Sequence, residues 1–183
     1  MLIIAGLGIS LLVGGWYGWD YLRLGGIGSS YTISASAGPG EASSSNTFSI
    51  PDGYMPYSNS QFHFSVYYPP NLQLHTYHED GGAFTVALQD PTTNAGFEVY
   101  VTPFSGTQID AARFKLDEPS GTFLDPTNVL IAGTRATMFF GSNPIMGDTR
   151  EVWFIKDGLL YEVTTYKPLD AWLSQIMQTW QFI

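Results

Sequence analysis

The densest group of side chains that could bind a metal ion lies between residues 75 and 80. His75, His78, Glu79 and Asp80 occur close together there, and imidazole nitrogens and carboxylate oxygens are common Zn²⁺ ligands. We therefore predict His75, His78 and Glu79 as candidate metal ligands. Residues three apart in a strand face opposite sides, so the two histidines converge only if the chain turns between them. The alternative interpretation is a polar strand end that runs into a solvated loop.

Carboxylates offer a second kind of chemistry. Asp117, Glu118 and Asp125 could pair as general acid and base or hold calcium. They surround Pro119-Ser120-Gly121, a composition typical of a loop, where acidic side chains are usually solvated. The chain has no cysteine and no Gly-x-Ser-x-Gly sequence, so those nucleophiles are excluded. Gly6-x-Gly8 follows no strand, and we expect no cofactor.

The N-terminal residues predict a membrane anchor. Residues 2–19 carry no charge, and about 20 apolar residues are needed to cross ~30 Å of hydrocarbon. Trp16, Tyr17, Trp19 and Tyr21 crowd the end of this segment, as in the aromatic belt at a membrane surface. We predict a transmembrane helix over residues 1–22, with residues 2–19 in the bilayer.

A Gly/Ser-rich linker is predicted over residues 23–47, followed by one domain over residues 48–183. A linker of this composition holds a domain clear of a membrane, so we expect a single-pass cell-membrane protein with its large domain extracytoplasmic. A cleaved signal peptide is the alternative, since Ala35-Ser36-Ala37 has the small-x-small pattern of a cleavage site. That site lies farther from the apolar segment than is usual for cleavage, which favours a retained anchor.

The charge balance limits the possible partners. Sixteen acidic residues face seven basic ones, a net charge of −9. Nucleic acid and anionic headgroups both require a positive surface, so we expect no nucleic-acid partner. Six tyrosines could instead form an aromatic surface for a sugar or peptide, although strand tyrosines are more often packing residues: Tyr54, Tyr57, Tyr67, Tyr68, Tyr77 and Tyr100.

Alternating apolar residues predict strands, and helical spacing predicts two amphipathic helices. The first helix begins at Thr107, where Asp110 completes a capping box, and the second runs from Pro168 to Trp180, with Trp172 in the core. The predicted class is α+β with a mostly antiparallel sheet. The predicted strands are Phe62–Tyr68, Phe84–Leu88, Phe97–Val101, Ala136–Phe140 and a hairpin of Val152–Ile155 with Leu159–Thr165 around Lys156-Asp157-Gly158.

This order of elements resembles the PsbP/Mog1-like domains of small membrane-anchored bacterial surface proteins. Four segments carry the resemblance: Tyr57-Ser58-Asn59-Ser60 leading into residues 62–69, then Gly133 to Phe140, Val152 to Tyr166, and Trp172 to Phe182 as a closing helix. Such folds serve as assembly factors and binding platforms, so the resemblance implies no reaction.

Two classes of function follow from these observations. The first is a membrane-tethered extracytoplasmic binding or assembly module whose partner is an envelope protein or glycan. The second is a metal- or carboxylate-dependent envelope hydrolase, which depends on the residues between His75 and Asp80. A type IV pilin-like subunit fits less well, because position five is Ala5 instead of glutamate.

Overall fold

The computed structural model describes residues 49–118, 121–143 and 146–183. The predicted anchor over residues 1–22, the predicted linker over residues 23–47 and the predicted start of the domain at residue 48 lie outside these residues. Within the described ranges, no helix is both long and apolar enough to cross a membrane.

The described residues form ten strands and two α-helices. The strands are β1 (Met55–Asn59), β2 (Phe64–Tyr68), β3 (Gln73–His78), β4 (Phe84–Gln89), β5 (Gly96–Pro103), β6 (Leu124–Ile131), β7 (Thr134–Asn143), β8 (Gly147–Lys156), β9 (Leu159–Tyr166) and β10 (Gln181–Phe182). The helices are α1 (Ala111–Asp117) and α2 (Asp170–Gln178). The predicted α+β class is confirmed.

The strands form two antiparallel sheets. The large sheet has the order β3-β4-β5-β9-β8-β7-β6, and the small one has the order β1-β2-β10. The predicted hairpin of β8 and β9 is confirmed, because Asp157 and Gly158 have φ angles of 50° and 79° in its turn. Ala132 and Gly133 turn β6 into β7 in the same way, with φ angles of 45° and 80°. Two positive φ angles in sequence give a turn whose twist matches that of the strands.

Side chains on one face of the large sheet form the main core. Val86, Val99 and Val163 are fully buried there, and α2 and the small sheet cover them by contributing Leu173 and Phe64 to the same cluster. The opposite face carries a smaller cluster, in which Phe114 of α1 packs against Phe139 and Trp153. We call these the α2 face and the α1 face.

Three boundaries differ from the sequence prediction. Helix α1 begins at Ala111, not Thr107, because Asp110 is the N-cap and accepts a hydrogen bond from the Arg113 N–H at 2.8 Å. Asp125, predicted in a loop, lies in β6, where it introduces a bulge. The closing helix ends at Gln178, and residues 181 and 182 pair with β2 as a strand.

Trp180, and not Trp172, is the deeply buried tryptophan at the C-terminus. Trp180 is 3% exposed, and its ring stacks on Phe64 with a centroid distance of 4.7 Å and an angle of 4°. Trp172 is partly buried and meets Phe97 edge-on at 5.9 Å. The helical spacing did not distinguish the two, because the small sheet that covers Trp180 comes from the other end of the domain.

Candidate functional site

The predicted metal ligands lie at one edge of the large sheet. Strand β3 continues through both histidines, and His75 pairs with Ala87 while His78 pairs with Phe84. The two imidazoles therefore extend from opposite faces of the strand. Glu79 follows the strand and accepts a hydrogen bond from the Thr85 hydroxyl at 3.2 Å. The described residues include no group of three His, Asp or Glu placed to hold a metal ion, and metal binding at His75, His78 and Glu79 stays a prediction.

Five carboxyl groups gather instead on the α1 face, and we call them the acidic layer: Glu98, Asp117, Glu118, Glu151 and Glu162. The sheet register explains the arrangement of the three glutamates that lie on strands. Glu98, Thr164 and Glu151 are direct neighbours across β5, β9 and β8. Tyr100, Glu162 and Trp153 form the next such row. Helix α1 adds Asp117 and the adjoining Glu118 above them.

Burial changes the acidity of this layer. Desolvation, reinforced by repulsion from Glu151, Glu79 and Glu118, raises the pKa of Glu98 to about 8. Desolvation also raises the pKa of Glu118 to about 7, with Glu151 and Asp117 adding to the effect. Removing a carboxylate from water disfavours its charged form, and neighbouring negative charges act in the same direction.

Glu162 and Asp117 form the most tightly coupled pair of the layer. Desolvation raises the pKa of Glu162 well above its ordinary value, and the adjacent Asp117 strengthens the effect through repulsion and a hydrogen bond. Two carboxyl groups can share a hydrogen bond only while one of them holds a proton, and here Glu162 holds it. Arg113 neutralises Asp117, with its guanidinium donating to that carboxylate at 2.6 Å. Glu162 Oε1 has no hydrogen-bond partner.

Glu151 is better satisfied than Glu162. Its Oε2 accepts from the Thr164 hydroxyl at 2.6 Å and from the Trp153 indole N–H at 3.2 Å. Desolvation nevertheless raises the pKa of Glu151, because burial outweighs these hydrogen bonds. Burial thus favours the protonated form of these glutamates beneath α1, and the Arg113 guanidinium pairs with Asp117 beside them.

A groove lies on the other face of the sheet. It has a volume of about 460 Å³ and lies between α2 and strands β6 to β8. Strand β6 supplies Val129 and Ile131 to it, and α2 supplies Leu173, Ser174 and Met177. We call this site the α2 groove. Concave, mostly apolar sites of this size are where proteins commonly bind ligands.

One ion pair borders the groove. Arg150 Nε and Nη2 donate to the two carboxylate oxygens of Asp170 at 2.6 and 2.9 Å. The guanidinium also lies 3.5 Å from the centroid of the Phe140 ring. Asp170 is the first residue of α2, so this pair fixes the start of the helix to β8. Because each charge has a partner, the lining favours an uncharged ligand group.

Trp180 contributes an unsatisfied polar atom. It lines the groove, and its Nε1 is buried without a hydrogen-bond partner. An unpaired buried donor costs about 1–3 kcal/mol, and such donors are rare in folded proteins.

Among the comparisons with known proteins, only the one with solved structures found a match. No known family matches the chain by sequence, and no curated protein does so either. The solution structure of cyanobacterial PsbP (CyanoP) from Synechocystis sp. PCC 6803 superposes with a TM-score of 0.53 at 10% identity. The match covers 72% of this chain and 93% of that one. The chain has a PsbP-like fold. The predicted resemblance is thereby confirmed for the fold.

The sequence of this PsbP-like domain pointed to Asp117 and Glu118 as possible acid–base groups, and the structure places both in the acidic layer, whereas Asp125 lies apart from them in β6. The α2 groove and the three glutamates on strands were not predicted. Glu98 in β5 and Glu162 in β9 were not singled out, because nothing in their local sequence shows that α1 covers them. One signal was present in β8. Val152, Trp153, Phe154 and Ile155 form a continuous apolar run, which is typical of a strand buried on both faces. Such a strand implies that the adjoining Glu151 is buried as well.

Proposed function

We propose that this protein is a membrane-tethered, extracytoplasmic binding or assembly module that holds an envelope partner in the α2 groove. The groove carries the proposal, because it combines a largely apolar lining with a paired charge at its border. The fold of a cyanobacterial PsbP protein supports a binding role by analogy. The net charge of −9 favours a neutral or basic partner.

A pair of substitutions on α2 tests the groove. Ser174 lines it and Gln175, the next residue, does not, while both side chains are exposed. Ser174→Phe should fill the groove, and Gln175→Phe adds the same ring elsewhere on the helix. After crosslinking in intact cells, the parent and Gln175→Phe should capture the same envelope partner and Ser174→Phe should lose it. Equal capture by all three proteins would exclude the groove as the binding site.

The proposed location has a separate test. If residues 2–19 cross the bilayer and the domain lies outside, the full-length protein should sediment with membranes, and protease added to intact cells should degrade its domain. Recovery as a soluble protein that begins near Gly38 would support the signal-peptide alternative. Protection of a membrane-bound domain from external protease would instead reverse the proposed orientation.

One observation favours the hydrolase alternative. A pair of carboxyl groups with one retained proton, as in Glu162 and Asp117, is an arrangement used in acid–base catalysis. Glu162 is only 5% exposed, however, and a substrate would reach it only if α1 moved away. If the pair is catalytic, Glu162→Gln should abolish hydrolysis of a cell-wall or peptide substrate by the full-length protein. Binding is the better supported function, because the α2 groove is already open.

A further inference from the structure

Strand β6 forms one edge of the large sheet. No other strand among the described residues pairs with its outer side. Its beginning is protected, because Asp125 has a φ angle of 51° at the bulge and Pro126 follows it; bulges and prolines prevent strand addition at sheet edges. The remainder, Thr127 to Ile131, contains neither a charge nor a proline. No strand of the described residues pairs with this half of the edge.

The hairpin defines which main-chain groups of β6 point outward. Ile131 pairs with Thr134 across a two-residue turn, and the pair that flanks such a turn exchanges both hydrogen bonds. Because the pattern alternates, Val129 also directs its main-chain groups toward β7. The N–H and C=O groups of Asn128 and Leu130 point away from the sheet. These two N–H donors and two C=O acceptors are therefore available to a further strand.

The α2 groove lies beside this open edge, on the same face as the Val129 and Ile131 side chains. Val129 pairs with Ala136, a residue of the main core, and both Val129 and Ile131 line the groove. In a strand added next to β6, every second side chain would face the same way. Those side chains would lie between β6 and α2, against Leu173 and Met177.

The charges favour a partner protein over a second copy of this chain. Each copy carries a net charge of −9, so pairing two copies edge to edge would bring like charges together. Asp170 at the groove border is paired with Arg150, so the preference for basic residues comes from the overall charge and applies to the flanks of the ligand, outside the groove. An extended segment with apolar residues at alternate positions and basic residues on its flanks fits the edge, the groove and the overall charge.

We propose that β6 and the α2 groove form a strand-docking site, in which an extended segment of a partner protein pairs with Asn128 and Leu130 and inserts alternate apolar side chains beneath α2. This inference rests on the proposed binding function and names its class of ligand. Main-chain hydrogen bonds would supply affinity, and the groove would supply selectivity.

The experiment begins with a phage-displayed library of random dodecapeptides, selected against the full-length protein in detergent. Synthetic peptides of the selected sequence are then titrated against the parent, Asn128→Pro and Asn128→Ala. Proline removes the outward N–H and leaves the β7 hydrogen bonds of the neighbouring residues in place. Alanine removes the same side chain and keeps the N–H. We expect peptides with alternating apolar residues, at least about tenfold weaker binding to Asn128→Pro, and binding within about twofold of the parent for Asn128→Ala.

If Asn128→Pro does not fold, a second measurement on the parent protein tests the proposal. Hydrogen–deuterium exchange of the parent should show slower exchange at Asn128 and Leu130 when peptide is bound, and unchanged exchange there would overturn the proposal. Equal peptide affinity for both Asn128 variants would also overturn strand pairing, while loss of binding in Ser174→Phe would still support the groove. If Ser174→Phe keeps its envelope partner in cells, the proposed function fails as well. A protein dimer that Asn128→Pro dissociates would identify a second copy as the occupant and overturn the choice of partner.

Discussion

The stability of Glu98→Gln relative to the parent should increase as the pH rises from acidic to neutral. In the folded protein, desolvation raises the pKa of Glu98 from 4.5 to about 8. The folded state therefore holds this proton more tightly than the unfolded state. The resulting stability is complete below about pH 4.5 and is lost as the pH rises through about 8. Gln cannot ionise, so the variant does not lose stability in this way as the pH rises.

The size of the effect follows from linkage. With these two pKa values, ionisation of Glu98 lowers the free energy of unfolding by about 3 kcal/mol at pH 7. Glu98 keeps some contact with solvent, and its neighbours can adjust, so we expect about 2–3 kcal/mol. The difference in unfolding free energy between Glu98→Gln and the parent should grow by this amount between pH 4 and pH 7.

Urea denaturation at several pH values from 4 to 8 measures this difference. Asp157→Asn is the matched control, because it removes a carboxyl group whose side chain is 71% exposed, and Asn tolerates the positive φ angle at that position. Its difference from the parent should change far less with pH. A Glu98→Gln difference that stays constant across the range would refute the argument that the acidic layer holds protons in the folded protein.

Two further predictions concern the core and the histidines. Trp180→Ala should lower the free energy of unfolding by about 3–5 kcal/mol, because it removes a buried large ring. Trp172→Ala should lower it by roughly 1–2 kcal/mol, because that ring is only partly buried. Chemical denaturation measures both losses, and equal losses would mean that the two rings are equally buried. The triple replacement of His75, His78 and Glu79 by Ala should leave the metal content of the purified protein unchanged, because β3 directs the two histidines to opposite faces. A stoichiometric metal that the triple variant loses would show that β3 rearranges to form the predicted site.

The sequence by itself determined the elements whose signals are local. Alternation located strands β2, β4, β5 and β7, and the Asp157-Gly158 pair located the β8–β9 turn, because backbone geometry there depends on neighbouring residues. The antiparallel α+β class and the PsbP-like resemblance followed from that order of elements. The sequence located α1 but predicted its start at Thr107; the helix begins at Ala111, because Asp110 is the N-cap and accepts a hydrogen bond from the Arg113 N–H.

Tertiary structure alone decided which polar residues are buried and which surfaces are open. Glu98, Glu151 and Glu162 are far apart in sequence, and they meet because β5, β9 and β8 are neighbours in the sheet. The α2 groove likewise combines β6 with a helix from the end of the chain. Alternation predicts two faces for a strand but does not show what covers each face. The burial of Glu98 and Glu162, their raised pKa values and the open edge depend on that covering; only the burial of Glu151 had a local signal, in the apolar run that follows it.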